Sequence, residues 1–191
     1  NALTLSIRDF IKKYLLNYIN WIQTSLQEKS TQWKDLIMLS HTHGQPAVPT
    51  TLGKELNVFN HRISKPMKDL YAKEYYGKLG GATGNLNAHY AVYPTINWDD
   101  KMRDFLKKFD LIRDPITTQI DNYENLTDCF DAIKRINSVL IDLNRDIWSY
   151  ISMKYLKQKI VRDEVGSSTM PHKINPINFE NSEGNLMIAN T

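Results

Sequence analysis

Cysteine is nearly absent. Cys129 is the one cysteine among 191 residues, so no disulfide joins two points of this chain. That fits a reducing compartment, and a cytoplasmic protein is expected. Long apolar runs are absent too. None approaches the roughly 20 residues that a helix needs to cross a bilayer, and no segment reads as a secretory signal, so no membrane partner is expected. Charge of one sign does not dominate: 24 basic against 21 acidic residues leave a formal net charge of +3. That is too little to argue for nucleic acid. The blocks Lys12-Lys13 and Lys107-Lys108 read as solvated helix faces. No cluster has zinc or EF-hand spacing, so no metal is expected. The remaining composition, 41% hydrophobic and 24% charged, is that of an ordinary globular chain. Asn1 and Thr191 both fall in helical patterns without a cap or polar tail, which predicts a piece of a longer polypeptide.

Helical periodicity is plentiful. Leu3, Ile7, Phe10, Ile11, Tyr14, Leu15, Tyr18, Ile19, Ile22 and Leu26 recur at three- and four-residue steps, which predicts one amphipathic helix fading at Glu28-Lys29-Ser30. A second helix begins near Thr50-Thr51, with a stripe of Leu52, Leu56, Phe59, Ile63, Met67 and Leu70, and Pro66 inside it predicts a kink. Asn97 is placed as an N-cap, with Asp99 and Asp100 in the first turn where the helix dipole favours anions. The longest run, from Leu126 to Tyr155, predicts a helix of roughly 45 Å. Ile141 and Trp148 widen its stripe, so it should pack against several neighbours. A last helix is expected from Asn175-Pro176, as an N-cap and first-position pair. Cys129 lies on an apolar stripe and reads as a small buried hydrophobe. The sequence pattern gives no strand, and the fold class it predicts is all-α, an elongated bundle of long helices.

Three segments carry polar chemistry that helix packing does not require. Ser40 to Thr51 holds His43 beside Gly44, Pro46 and Pro49, which make it extended rather than helical. A histidine there is suited to give or take a proton near neutral pH, or else to bond a backbone carbonyl structurally. His41, His61 and His89 have less to commend them. Gly77 to Asn85 has four of the chain's eight glycines, which leaves either a backbone close to a ligand or a tight turn. It is neither a Walker loop nor a dinucleotide fingerprint, lacking the Lys-Ser/Thr ending and a preceding strand. The third segment, Gly166 to Pro176, mixes hydroxyls, a cation and helix-start amides, as an anion site would. Ser167 and Ser168 are either chemical groups or a capping turn. No Gly-x-Ser-x-Gly elbow is present to support a hydrolase nucleophile.

Two of these segments carry a resemblance. Thr42-His43-Gly44-Gln45-Pro46-Ala47 and Ser167-Ser168-Thr169-Met170-Pro171-His172-Lys173-Ile174-Asn175-Pro176 resemble the signature loops of the fumarase/aspartase superfamily of lyases. Similarity also runs through Gly77 to Tyr93 and Thr117-Thr118-Gln119. Gly44, where fumarases carry leucine, and His172, where they usually carry glycine, point to the superfamily branch acting on purine nucleotides. The resemblance implies that residues 1–191 are the central helical domain of a longer lyase. It implies β-elimination of fumarate from a succinylated purine nucleotide, leaving AMP, and from the related succinyl-carboxamide ribotide. In its terms Ser167 is the base, His43 the general acid and Glu180 the carboxylate paired with that histidine. Thr42, Gln119, Ser168, Lys173 and Asn175 match substrate-binding positions. No cofactor is implied. A homotetramer is, with active sites shared between subunits. The family's Thr-Ser-x-Asp segment and basic phosphate-binding residues are expected outside this sequence. His41 departs from the arginine often found before Thr-His-Gly, and Asp121 to Glu124 departs from the usual pattern after Gln119.

Two other readings compete with this one. Another fumarate-releasing lyase of the superfamily, acting on argininosuccinate, malate or aspartate, is disfavoured by His172 and Gly44-Gln45-Pro46. A catalytically inactive helical oligomerisation module is the alternative of a different class.

Overall fold

The apolar stripe read from the second helix is buried along its whole length. In helix α3 (Leu52–Tyr71), Leu52, Leu56, Phe59, Ile63, Met67 and Leu70 are all 4% exposed or less. Burial of this kind contributes roughly 1.5–3 kcal/mol per large side chain, which is why the helix continues through Pro66. The computed structural model describes residues 1–159, 169–170 and 174–191. Among these the chain is mainly helical, as expected.

The first helical region is α1 (Ala2–Phe10), a π-helical turn (Ile11–Leu15) and α2 (Leu16–Gln32). The π turn changes which side chains are covered. Its wider hydrogen bond, Leu16 amide to Ile11 carbonyl, makes the buried step from Ile11 to Leu16 five residues rather than four. Ile11, Leu16, Ile19 and Leu26 are therefore buried, while Phe10, Tyr14 and Tyr18 of the expected stripe stand exposed with Trp21.

Strands β1 (Ile37–Thr42) and β2 (Gln45–Thr51) form an antiparallel hairpin. The sequence pattern gave no strand here. The prolines do make the segment extended, as expected, but the pairing depends on contacts across the turn. A short parallel pair joins β3 (Tyr76–Gly77) to β4 (Ile112–Arg113). Between them lie α4 (Asn87–Val92) and α5 (Trp98–Lys107). Asn97 caps α5 as expected, its side chain accepting the Asp100 amide at 3.2 Å. The long helix is α6 (Glu124–Ser152), whose 29 residues span about 44 Å. Helix α7 (Ile177–Ala189) starts one residue later than expected, with Pro176 at its N-cap. Among the described residues, no helix is long and apolar enough to cross a membrane.

The chain divides into two compact units, Asn1–Trp21 with Met67–Ala132, and Ile22–Pro66 with Ile133–Thr191. The first has its core at Ile11, Leu16, Leu70, Tyr75, Leu106, Leu111 and Cys129. In the second, Leu56, Phe59, Ile63, Ile136 and Val139 are buried. Its buried amides are satisfied across the α6–α7 pair: Asn137 donates to Asn190 Oδ1 and Asn144 to Ser182 Oγ, each at 2.9 Å. Leaving such groups unpaired costs about 1–3 kcal/mol each, so these bonds fix how α7 lies along α6.

Candidate functional site

His43 sits at the tip of the hairpin. Thr42 pairs with Gln45, leaving His43 and Gly44 as a two-residue turn with φ of 54° and 72°. Positive φ at both positions is the two-residue turn whose twist suits a hairpin. A histidine in that conformation costs about 1 kcal/mol relative to the right-handed region. The ring is exposed, and among the described residues none hydrogen-bonds it. Thr42 is exposed beside it.

The hairpin carries a bulge. Leu39 faces Pro49 and His41 faces Pro46, so Ser40 opposes both Ala47 and Val48. Pro46 and Pro49 have no amide hydrogen for the ladder. Ser40 compensates: its hydroxyl donates to the Val48 carbonyl at 2.6 Å and accepts the Val48 amide at 3.3 Å. At the hairpin base, Thr50 Oγ1 donates to Glu55 Oε1 at 2.8 Å, tying β2 to the first turn of α3.

Beside the hairpin, within the same unit, is a cavity of about 490 Å³. Met38, Ser40, His41, Gly44 and Thr50 of the hairpin line it, with Glu55 of α3 and Asp146, Trp148, Ser149 and Tyr150 of α6. Burial, followed by the charges of Asp142 and Glu55, raises the Asp146 carboxyl above its usual range, against the opposing pull of Arg62. Arg62 is itself paired with Asp142 at 2.6 Å. Burial and the neighbouring Asp146 and Glu55 push the Tyr150 phenol up to about 12. His41 stacks obliquely on Tyr155, centroids 6.0 Å apart, and its Nδ1 is buried without a hydrogen-bond partner among the described residues.

Glu180 lies in the first turn of α7 and is exposed. Its Oε1 accepts the indole N–H of Trp148 at 3.1 Å. Arg145 and Glu183 form a parallel link, 2.7 Å, one turn along each helix. Trp148 therefore reaches both the hairpin-side cavity and the carboxylate. The sequence had offered it only as a widening of the α6 stripe, and no local signal marks an indole for this duty. Asn175, half-buried, precedes the α7 cap. Gln119 belongs to the other unit, exposed in the loop between β4 and α6. Ser167, Ser168 and Lys173 lie outside the described residues. Among the described residues no three metal-ligating side chains gather.

The arrangement thus presents an exposed histidine on a two-residue turn and a carboxylate held by an indole, without a nucleophile–base pair among the described residues. Comparison with known proteins gives this a context. The model of a family described as lyase matches residues 1–189. The adenylosuccinate lyase of Dictyostelium discoideum is 51% identical over 193 residues, covering 99% of this chain and 41% of that protein. That of Escherichia coli (strain K12) is 43% identical over 176 residues, 92% of this chain and 39% of that protein. That of Haemophilus influenzae is 46% identical over 159 residues, 83% of this chain and 35% of that protein. The chain spans about two fifths of the length of these curated relatives.

Proposed function

This chain belongs to the lyase family, and from that premise we propose that it is the central helical part of a longer enzyme that eliminates fumarate from adenylosuccinate, giving AMP. The related succinyl-carboxamide ribotide is its second substrate. The observation that carries this reading is the likeness to adenylosuccinate lyase along 99% of the chain. The exposed, positive-φ His43 at a hairpin tip supports it, since conformational strain gathers where geometry serves chemistry.

In this reading Ser167 takes the proton from the succinyl Cβ, the carbon adjacent to the one that bears the nitrogen. The electron pair builds a doubly negative aci-carboxylate, which Lys173 and Asn175 stabilise through charge and hydrogen bonds, while Ser168 contacts substrate. The pair then returns to form the double bond of fumarate, and the carbon–nitrogen bond breaks. His43 protonates the departing nitrogen, a step worth about 10²–10⁴-fold. Glu180 orients that histidine, and Thr42 and Gln119 contact substrate. The enzyme is a cytoplasmic homotetramer with sites shared between subunits. Support comes from the aromatic face of α1 and α2, where Phe10, Tyr14, Tyr18 and Trp21 are 55 to 70% exposed. Large exposed aromatic side chains recurring along one helical region suit an interaction surface. His43 has no partner among the described residues of its own chain, which is consistent with a carboxylate arriving from another.

Fumarate release from adenylosuccinate by the full polypeptide, with Ser167→Ala and His43→Ala alongside, tests this. Both variants should lose turnover, and a mixture of the two should regain part of it through hybrid tetramers. Preference for argininosuccinate, malate or aspartate overturns the substrate assignment. A folded, inert parent overturns the lyase reading, and a stable monomer overturns the shared site.

A further inference from the structure

The glycine-rich segment has no role in the chemistry above, yet its geometry is specific. Gly84 has φ +85°, and a Cβ built there would lie 1.9 Å from the Thr117 carbonyl oxygen and 3.2 Å from that of Thr118. The backbone of residues 80–84 is therefore packed directly on the backbone that leads into Gln119. Gly80 is part of the same contact, since its Cβ would press on Gly84 at 2.8 Å. Gly81 differs. Its φ of +74° is nearly the same, but a Cβ there would meet nothing nearer than Leu86 Cα at 3.9 Å.

The segment that lies against Thr117 is itself held firmly within its unit. The Leu86 amide donates to the Gly80 carbonyl at 2.9 Å, and Lys78 Nζ donates to the Gly81 carbonyl at 2.8 Å. Arg113, 8% exposed, donates from Nε to the Leu79 carbonyl at 3.3 Å and pairs with Asp99 at 2.6 Å. On the other side, the loop carrying Gln119 is bridged by Asn122 Nδ2 to the Ile116 carbonyl at 3.4 Å. Gln119 itself is exposed, so its position is inherited from the backbone on either side of it. Gly84 is the point where that backbone meets a fixed support.

We infer that Gly84 is a positioning residue, which sets the place of the Gln119 side chain by letting the glycine-rich segment back directly onto Thr117-Thr118. The inference rests on the reading of Gln119 as a substrate contact. Any side chain at Gly84 must part the two backbones by about 1 Å, a displacement that costs on the order of a hundredfold when it reaches a positioned contact.

The test is steady-state fumarate release and AMP binding by the full polypeptide, comparing Gly84→Ala, Gly81→Ala and Gln119→Ala with the double variant Gly84→Ala/Gln119→Ala. Gly81→Ala carries the same backbone penalty without the collision, so it separates strain from displacement. Gly84→Ala should raise KM and weaken AMP binding by about tenfold to a hundredfold, with a smaller change in kcat. Gly81→Ala should stay within about twofold, and the double variant should be no worse than Gln119→Ala. If Gly84→Ala does not fold, Gly80→Ala gives a milder push on the same contact and should raise KM in the same direction. Equal effects of Gly81→Ala and Gly84→Ala, or multiplicative effects of Gly84→Ala and Gln119→Ala, overturn the inference while leaving Gln119 as a contact. A silent Gln119→Ala overturns the underlying reading of Gln119 and the inference with it.

Discussion

Ser40 and Val48 are joined twice, the serine hydroxyl donating to the Val48 carbonyl at 2.6 Å and accepting its amide at 3.3 Å. This pair stands where two prolines have removed ladder hydrogens and where one strand carries an extra residue. Slipping the bulge by one position would turn successive side chains to the opposite face. The hydroxyl therefore holds the register that puts His43, rather than a neighbour, at the first turn position.

Ser40→Ala removes both bonds. They are solvent-exposed, so the expected loss is about 1 kcal/mol in thermal or urea unfolding. Turnover should fall by about threefold to tenfold through the altered seat of His43, and Ser40→Thr should restore most of it. Unchanged turnover with Ser40→Ala would detach the hairpin register from catalysis.

Trp148→Phe keeps an aromatic ring in the cavity wall and deletes the donor to Glu180. One hydrogen bond to a partly exposed carboxylate is worth about 1 kcal/mol, which corresponds to about fivefold in kcat. The melting temperature should move little. A loss in stability with no kinetic effect would make the indole a packing residue alone.

Asp146 gives a pH-dependent test. Burial and the charges of Asp142 and Glu55 favour its protonated form in the fold, so its carboxyl titrates above the unfolded value of 3.8. Below that value both states are protonated and the group costs nothing. As pH rises through the raised folded value, the unfolded state ionises more readily and stability is lost. Asp146→Asn should therefore raise the melting temperature near pH 7, with the gain disappearing below about pH 3.8. A gain independent of pH would assign the effect to packing.

Cys129 is fully buried. Burial is the main cause that holds its thiol above the usual range. A thiol reagent should leave the native chain unmodified at neutral pH, and one equivalent should react after unfolding in denaturant, because attack requires an accessible thiolate. Rapid native labelling would show that this part of the core opens readily.

Much of this was already present in the chain's order of residues. The α3 stripe, the Asn97 cap, the burial of Cys129 and the long α6 follow from helical spacing and local capping, which act within a few residues of one another. The prolines at 46 and 49 dictate extended backbone without any tertiary contact. The two signature segments point to the lyase family that matches residues 1–189, and the non-helical backbone around His43 is legible there because its glycine and proline neighbours oppose a helix. Other features were decided only in the folded chain. A π turn at Ile11–Leu15 moves Tyr14 and Tyr18 to the surface, a choice that periodicity alone does not determine. The Ser40–Val48 link joins residues across a turn, Trp148 meets Glu180 across two helices, and Gly84 meets Thr117 from another loop. Each depends on backbones brought together from distant parts of the sequence, where a glycine that merely turns and a glycine that must admit a carbonyl oxygen are written with the same letter.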